Sequence, residues 1–145
     1  THCITTVNAY LKTNSSVAAA KSETAITVAT LDEAIASLQE SVTALTPAVA
    51  ADVKIETDRI AAIKVKLDAM KADSANLVKN AKNIKDYETA ISWREITVKR
   101  LNSQITAFTS KIKKMQNEKS AANNNLSLIE SSASTALMTA KTICG

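Results

Sequence analysis

Glycine is all but missing from this chain. Of 145 residues only the last, Gly145, is glycine, and Pro47 is the only proline. Tight turns, hairpins and β-bulges depend on those two residue types, so a sheet-rich fold would have no punctuation here. Without an internal glycine there is also no phosphate-cradling loop, no dinucleotide fingerprint and no nucleophile elbow. Histidine occurs once, as His2. Triads built on histidine and Glu-x-x-His di-metal sites therefore lack their main component. Aromatics are limited to Tyr10, Tyr87, Trp93 and Phe108, so a core must be assembled from Ile, Leu, Val and Ala. No stretch approaches the roughly eighteen uncharged apolar residues of a membrane span.

Abundant residues point one way. Alanine, the best helix former, occurs 25 times. Lysine and glutamate, also good formers, supply much of the charge. The composition predicts an all-α chain, and its length suits a single domain over 1–145.

Two cysteines stand third from the start and second from the end, Cys3 and Cys144. Placed so, they read as a disulfide staple of a secreted protein. Closing a loop of that size stabilises a fold by about 5 kcal/mol in the chain-entropy account. Two sequons, at Asn14 and Asn125, are glycosylation candidates that agree with export. The absence of a starting methionine and apolar leader fits a signal peptide already removed.

Apolar residues recur at spacings of three and four. Val28, Leu31, Ile35, Leu38, Val42 and Leu45 hold a heptad seam. Thr46-Pro47 has the form of an N-cap followed by a first-turn proline, which predicts a helix boundary. A second seam runs Val49, Val53, Ile60, Ile63, Leu67, Met70, Leu77, Ala81 and Ile84, with Glu56 and Ser74 as polar entries. The polar run 79–86 reads as a turn, with Asp86 able to cap the next helix. Tyr87, Ile91, Val98, Leu101, Ile105, Phe108, Ile112 and Met115 form a third seam, interrupted by Arg94. After the Asn-rich stretch 117–125, Leu126, Ile129, Ala133, Ala136 or Leu137, Ala140 and Ile143 form a fourth. The helices expected are thus 3–45 with a break near 13–16, 47–79, 86–117 and 124–143. They predict an elongated up-down-up-down four-helix bundle, whose topology brings Cys3 and Cys144 to the same end.

Sites are few. A zinc site from His2, Cys3 and Cys144 lacks a fourth protein ligand, and no metal or cofactor is expected. Acidic pairs such as Asp32-Glu33, Asp52 with Glu56, and Asp86 with Glu88 read as solvated helix faces, and Glu95 with Lys99 as a helix-supporting ion pair. Folding four helices on these turns places Glu56 level with Ser37 and Thr109, and Arg94 level with Lys71, which keeps the two apart. Each then reads as a register-fixing residue or as an anchor for a ligand head group.

The net charge of +4 is not gathered into one stripe, and nucleic-acid binding is not expected. Lysines group at 79, 82 and 85 and again at 111, 113, 114 and 119, where solubility is the plainer account and contact with an anionic surface the sharper one. Alanines at 18, 19, 20, 25 and 29, and at 133, 136 and 140, either pack helices closely or leave room between them.

These readings predict a secreted, non-enzymatic binding protein carrying a small, lipid-like apolar ligand between its helices. Glu56, Arg94, Trp93, Phe108, Ala133 and Ala136 are its candidate ligand-binding residues. The competing expectation is an extracellular protein–protein interaction module of salivary, venom, surface or effector type, acting through its helical faces. Heptads this regular also admit a small homo-oligomer in place of a monomer.

Overall fold

A computed structural model describes residues 2–145. Every described residue other than Asp73 and Gly145 is helical. Helix α1 spans His2–Ala72, a single 3₁₀ turn covers Ser74–Asn76, and helix α2 spans Leu77–Cys144. The all-α expectation holds, and the disulfide is present, with the Cα atoms of Cys3 and Cys144 4.9 Å apart. The four expected helices are two. The expected breaks near 13–16, at 45–47 and at 117–125 are all helical.

The missing breaks near 13–16 and at 45–47 have a local cause. Thr13 and Ser16 donate their hydroxyl protons to the carbonyls of Ala9 and Lys12, at 2.9 and 3.2 Å, inside their own helix. Thr30, which with Glu33 resembles a capping box, does the same to Ile26 at 2.9 Å. Hydroxyls engaged on the preceding turn need no break in order to be satisfied. Pro47 lies within α1. Its missing N–H would have served the carbonyl of Thr43, which is exposed, so water can serve instead. Thr46 meanwhile donates to the Val42 carbonyl at 2.6 Å.

The stronger cause is phase. The steps from Val42 through Leu45 and Val49 to Val53 are three, four and four, which keeps one apolar stripe through Pro47, and Met115, Lys119, Ala122, Leu126 and Ile129 carry the heptad through the asparagines. A helix whose apolar stripe stays in register gains by continuing.

The true interruption lies at Asp73-Ser74-Ala75-Asn76, about one heptad before the expected turn. Asp73 leaves the helical region with ψ 80°. Its backbone N–H bonds the Met70 carbonyl at 3.3 Å, and its carboxylate accepts from the Asn76 amide at 3.0 Å. Asp, Ser and Asn favour such turns because their side chains compete for the backbone. No described residue but Gly145 has a positive φ, which is why the turn manages without glycine.

Packing divides the chain into two units. In the hairpin unit, Gln39–Ser110, α1 and α2 run antiparallel on either side of the turn. Ile60, Leu67 and Ile91 form its buried cluster, with Ile63, Ile84, Tyr87 and Val98 packed against it. The terminal unit comprises residues up to Leu38 together with Lys111–Gly145. Val17, Ile35, Ile112, Ala133 and Ala140 are its buried residues, and the disulfide joins its two segments. Apart from Val17, these positions belong to the seams read from the sequence. Exceptions among the seam residues are Leu45, Leu77, Ala81 and Ile143, which are exposed, and Ser74, which belongs to the turn. No described side chain is fully buried, since within each unit a segment of α1 packs on a segment of α2.

Two outcomes are expected. Pro47→Ala should raise the unfolding midpoint, because the helix-interior penalty of about 3 kcal/mol outweighs the roughly 1 kcal/mol that proline contributes by restricting the unfolded chain; thermal melts by circular dichroism check it. Replacing Cys3 and Cys144 with serine should cost up to about 5 kcal/mol, read from denaturant midpoints, with amide exchange quickening first near the ends of the terminal unit.

Candidate functional site

The hairpin unit contains one polar constellation inside its seam. Glu56 on α1 and Arg94 on α2 occupy facing seam positions, and Arg94 Nη1 donates to Glu56 Oε2 at 3.0 Å. Arg59, three residues along α1, donates from Nη1 to the other carboxylate oxygen, Oε1, at 3.2 Å. The Glu56 side chain is 16% exposed and that of Arg94 34%. The carboxylate is thus held between two guanidinium groups, one on each helix, with both oxygens engaged. Charge-assisted bonds of this kind are stronger than neutral ones.

The sequence pattern kept these two residues apart, and the structure brings them together. Moving the turn from 79–86 to 73–76 changes which residue faces Glu56, from Thr109 to Arg94. A signal that could have found the pair was present: each hairpin seam has one charged interruption, and the charges are opposite.

The remaining candidates scatter. Trp93, next to Arg94, is 62% exposed and outside the seam, whereas Phe108 is half-buried within it. Ala133 and Ala136 belong to the terminal unit, where Ala133 is buried and Ala136 half-buried. Of the alanines on the first part of α1, those at 18, 19, 25 and 29 are exposed and Ala20 is half-buried. Asn14 and Asn125 are both exposed on continuous helix. Asn14 borders a shallow groove of the terminal unit with Tyr10, Val17, Ala133 and Leu137.

The surface acids are more engaged than a solvated face implies. Asp32 accepts from Lys119 Nζ at 2.7 Å across the terminal unit, and Glu88 lies 3.8 Å from Lys71 in the hairpin unit. The Glu95–Lys99 pair is not among the ion pairs formed, whereas Lys54 and Asp58 pair at 2.8 Å. The Asp58 hydrogen bond, and then its charge, raise the pKa of Lys54 above the usual lysine value. No group of three or more potential metal ligands occurs among the described residues, and both thiols are consumed by the disulfide.

The hairpin unit also carries an open groove beside its seam, where Val49, Val53 and Ile105 form an apolar floor. Thr46, Thr57 and Thr106 add hydroxyls. The arrangement offers an apolar strip with polar edges open to solvent.

Removing one partner of the Glu56–Arg94 pair should be costlier than removing both. Arg94→Leu leaves Glu56 with Arg59 alone and should cost about 1–3 kcal/mol. Glu56→Leu with Arg94→Leu should be near neutral or stabilising. Denaturant midpoints of the two single variants and the double variant check the cycle.

No family model matches the chain, and no match to it was found among curated proteins or solved structures.

Proposed function

We propose that the protein is a secreted, non-enzymatic binding protein that acts by docking the outer faces of its helices. The observation that carries this reading is where its large apolar side chains lie. Ile4 and Leu11, Ile26, Ile55, Val65, Trp93, Leu128 and Met138 are all about half exposed or more, on both helices and in both units. Trp93 joins a wide apolar ring to an indole N–H and stands beside the Arg94–Glu56 pair, a combination enriched where proteins meet partners. The disulfide supports the extracellular part of the proposal, since such bonds persist in oxidising compartments. Exposure of Asn14 and Asn125 is compatible with glycans at both.

A second reading has its own support. The groove floored by Val49, Val53 and Ile105, with threonine hydroxyls at its edges, suits a small apolar or lipid-like ligand. Such a ligand would lie along the helix pair, open to solvent on one side.

Native mass spectrometry of gently purified protein, followed by solvent extraction, separates the two. The docking reading expects the bare 15.4 kDa chain or a small multiple of it, with no stoichiometric small molecule. An apolar adduct at one per chain, lost in Thr57→Lys or Thr106→Lys, would overturn it in favour of the groove. Both threonines are exposed, so these changes add a cation to the groove without disturbing the seam.

A further inference from the structure

At the turn of the hairpin unit, α2 opens with two apolar residues that stand outside its seam. Leu77 is 42% exposed, and Val78, at 93%, is the most exposed of the chain's large apolar residues. The apolar seam of α2 begins later, at Ile84. Lys79, Lys82 and Lys85 come directly after, all outside the ion pairs that the fold forms. On α1 the same region holds Lys64, Lys66 and Lys71, of which Lys71 is engaged with Glu88. From Lys64 to Lys85 the sequence counts six lysines against Asp68 and Asp73. Asp73 is itself tied to Asn76, and Asp86 and Glu88 stand just beyond.

Neither packing nor helix stability accounts for this composition. A valine in open water contributes nothing to a core. Cations in the opening turn of a helix work against its macrodipole, and α2 has no acid there to compensate. The combination does fit a surface that is apolar within and anionic outside. Aliphatic side chains enter the boundary of the acyl region, while lysine stems extend so that their ammonium groups meet phosphate and carboxylate head groups. A soluble acidic partner would satisfy the lysines but not the exposed aliphatic pair.

We infer that the turn end of the hairpin unit docks onto an anionic lipid bilayer, with Leu77 and Val78 inserted and Lys79, Lys82 and Lys85 on the head groups. The attachment is peripheral, for no described helix is long and apolar enough to cross a membrane. The inference rests on the docking reading above and names the chemistry of the partner.

Cosedimentation of the oxidised, full chain with vesicles tests it. Each lysine near an anionic surface multiplies partitioning by about fivefold, so three should favour vesicles containing about one-third phosphatidylserine over neutral phosphatidylcholine by about a hundredfold at low ionic strength. The preference should fall several-fold at about 0.15 M salt, where the Debye length is about 8 Å. Val78→Asp should abolish most of the binding, as should Lys79→Glu with Lys82→Glu. Lys111→Glu with Lys113→Glu, an equal change of charge in the terminal unit, should leave it intact. None of these positions is buried, and far-ultraviolet circular dichroism should show unchanged helicity in each variant.

Absence of binding, equal binding to both vesicle types, indifference to Val78→Asp, or equal loss in the Lys111 and Lys113 variant would each overturn the inference. The docking reading itself is judged separately by the native mass spectrum, so failure of the one is distinguishable from failure of the other.

Discussion

Register is the constraint on which the rest depends. A heptad seam repeats every seven residues, so one helix could slide past its partner by a heptad and still bury apolar side chains. Something aperiodic must choose. In the hairpin unit the choice falls to Glu56 and Arg94, the charged residues set into otherwise apolar stripes. Slid by a heptad, Glu56 would face Leu101 or Tyr87 and Arg94 would face Ile63 or Val49, so the bond between the two half-buried charges would be lost at about 1–3 kcal/mol. In the terminal unit the disulfide and the Asp32–Lys119 pair hold the alignment. The polar entries contribute less as net stabilisation than as a penalty on every other alignment.

A pair of helices also decides where binding can occur. Within each unit a helical segment of α1 packs on one of α2, so its seam is covered and much of the rest of its circumference meets water. Hydroxyls on that circumference are largely satisfied within the helix, as Thr13, Thr30, Thr43, Thr89 and Thr97 show by bonding the carbonyl four residues back. This leaves exposed aliphatic residues, Trp93 and unpaired lysines as the groups free to engage something else. The functional proposals rest on those groups.

Much of the fold was legible because its signals are local or periodic. Helicity follows from alanine content and the want of glycine, and the seam residues follow from spacing. The disulfide follows from two cysteines at the ends of the chain. The expected breaks did not form because capping residues, proline and asparagine are only tendencies, and an unbroken apolar phase outweighs them. Thr46-Pro47 has the form of a helix start, yet Val42, Leu45, Val49 and Val53 carry one stripe through it. Misplacing the turn by about one heptad upset only the seam entries next to it, from Ser74 to Ile84, while shifting the facing residue on α2 by about two heptads, from Thr109 to Arg94. That is why the core was readable and the polar constellation was not.

The sequence by itself determined that the chain is helical, which residues form the seam and which cysteines pair. It even held the register implicitly. The midpoint between Cys3 and Cys144 falls between residues 73 and 74, and that between Glu56 and Arg94 at residue 75, both within the observed turn. Only tertiary structure decided that two helices form in place of four and that Glu56 meets Arg94. It also decided that Leu77 and Val78 stand in water beside three lysines. The physical reason is that helix propensity and apolar spacing are properties of neighbours along the chain. Pairing and exposure depend on what arrives from far along it, and a periodic pattern is compatible with several arrivals.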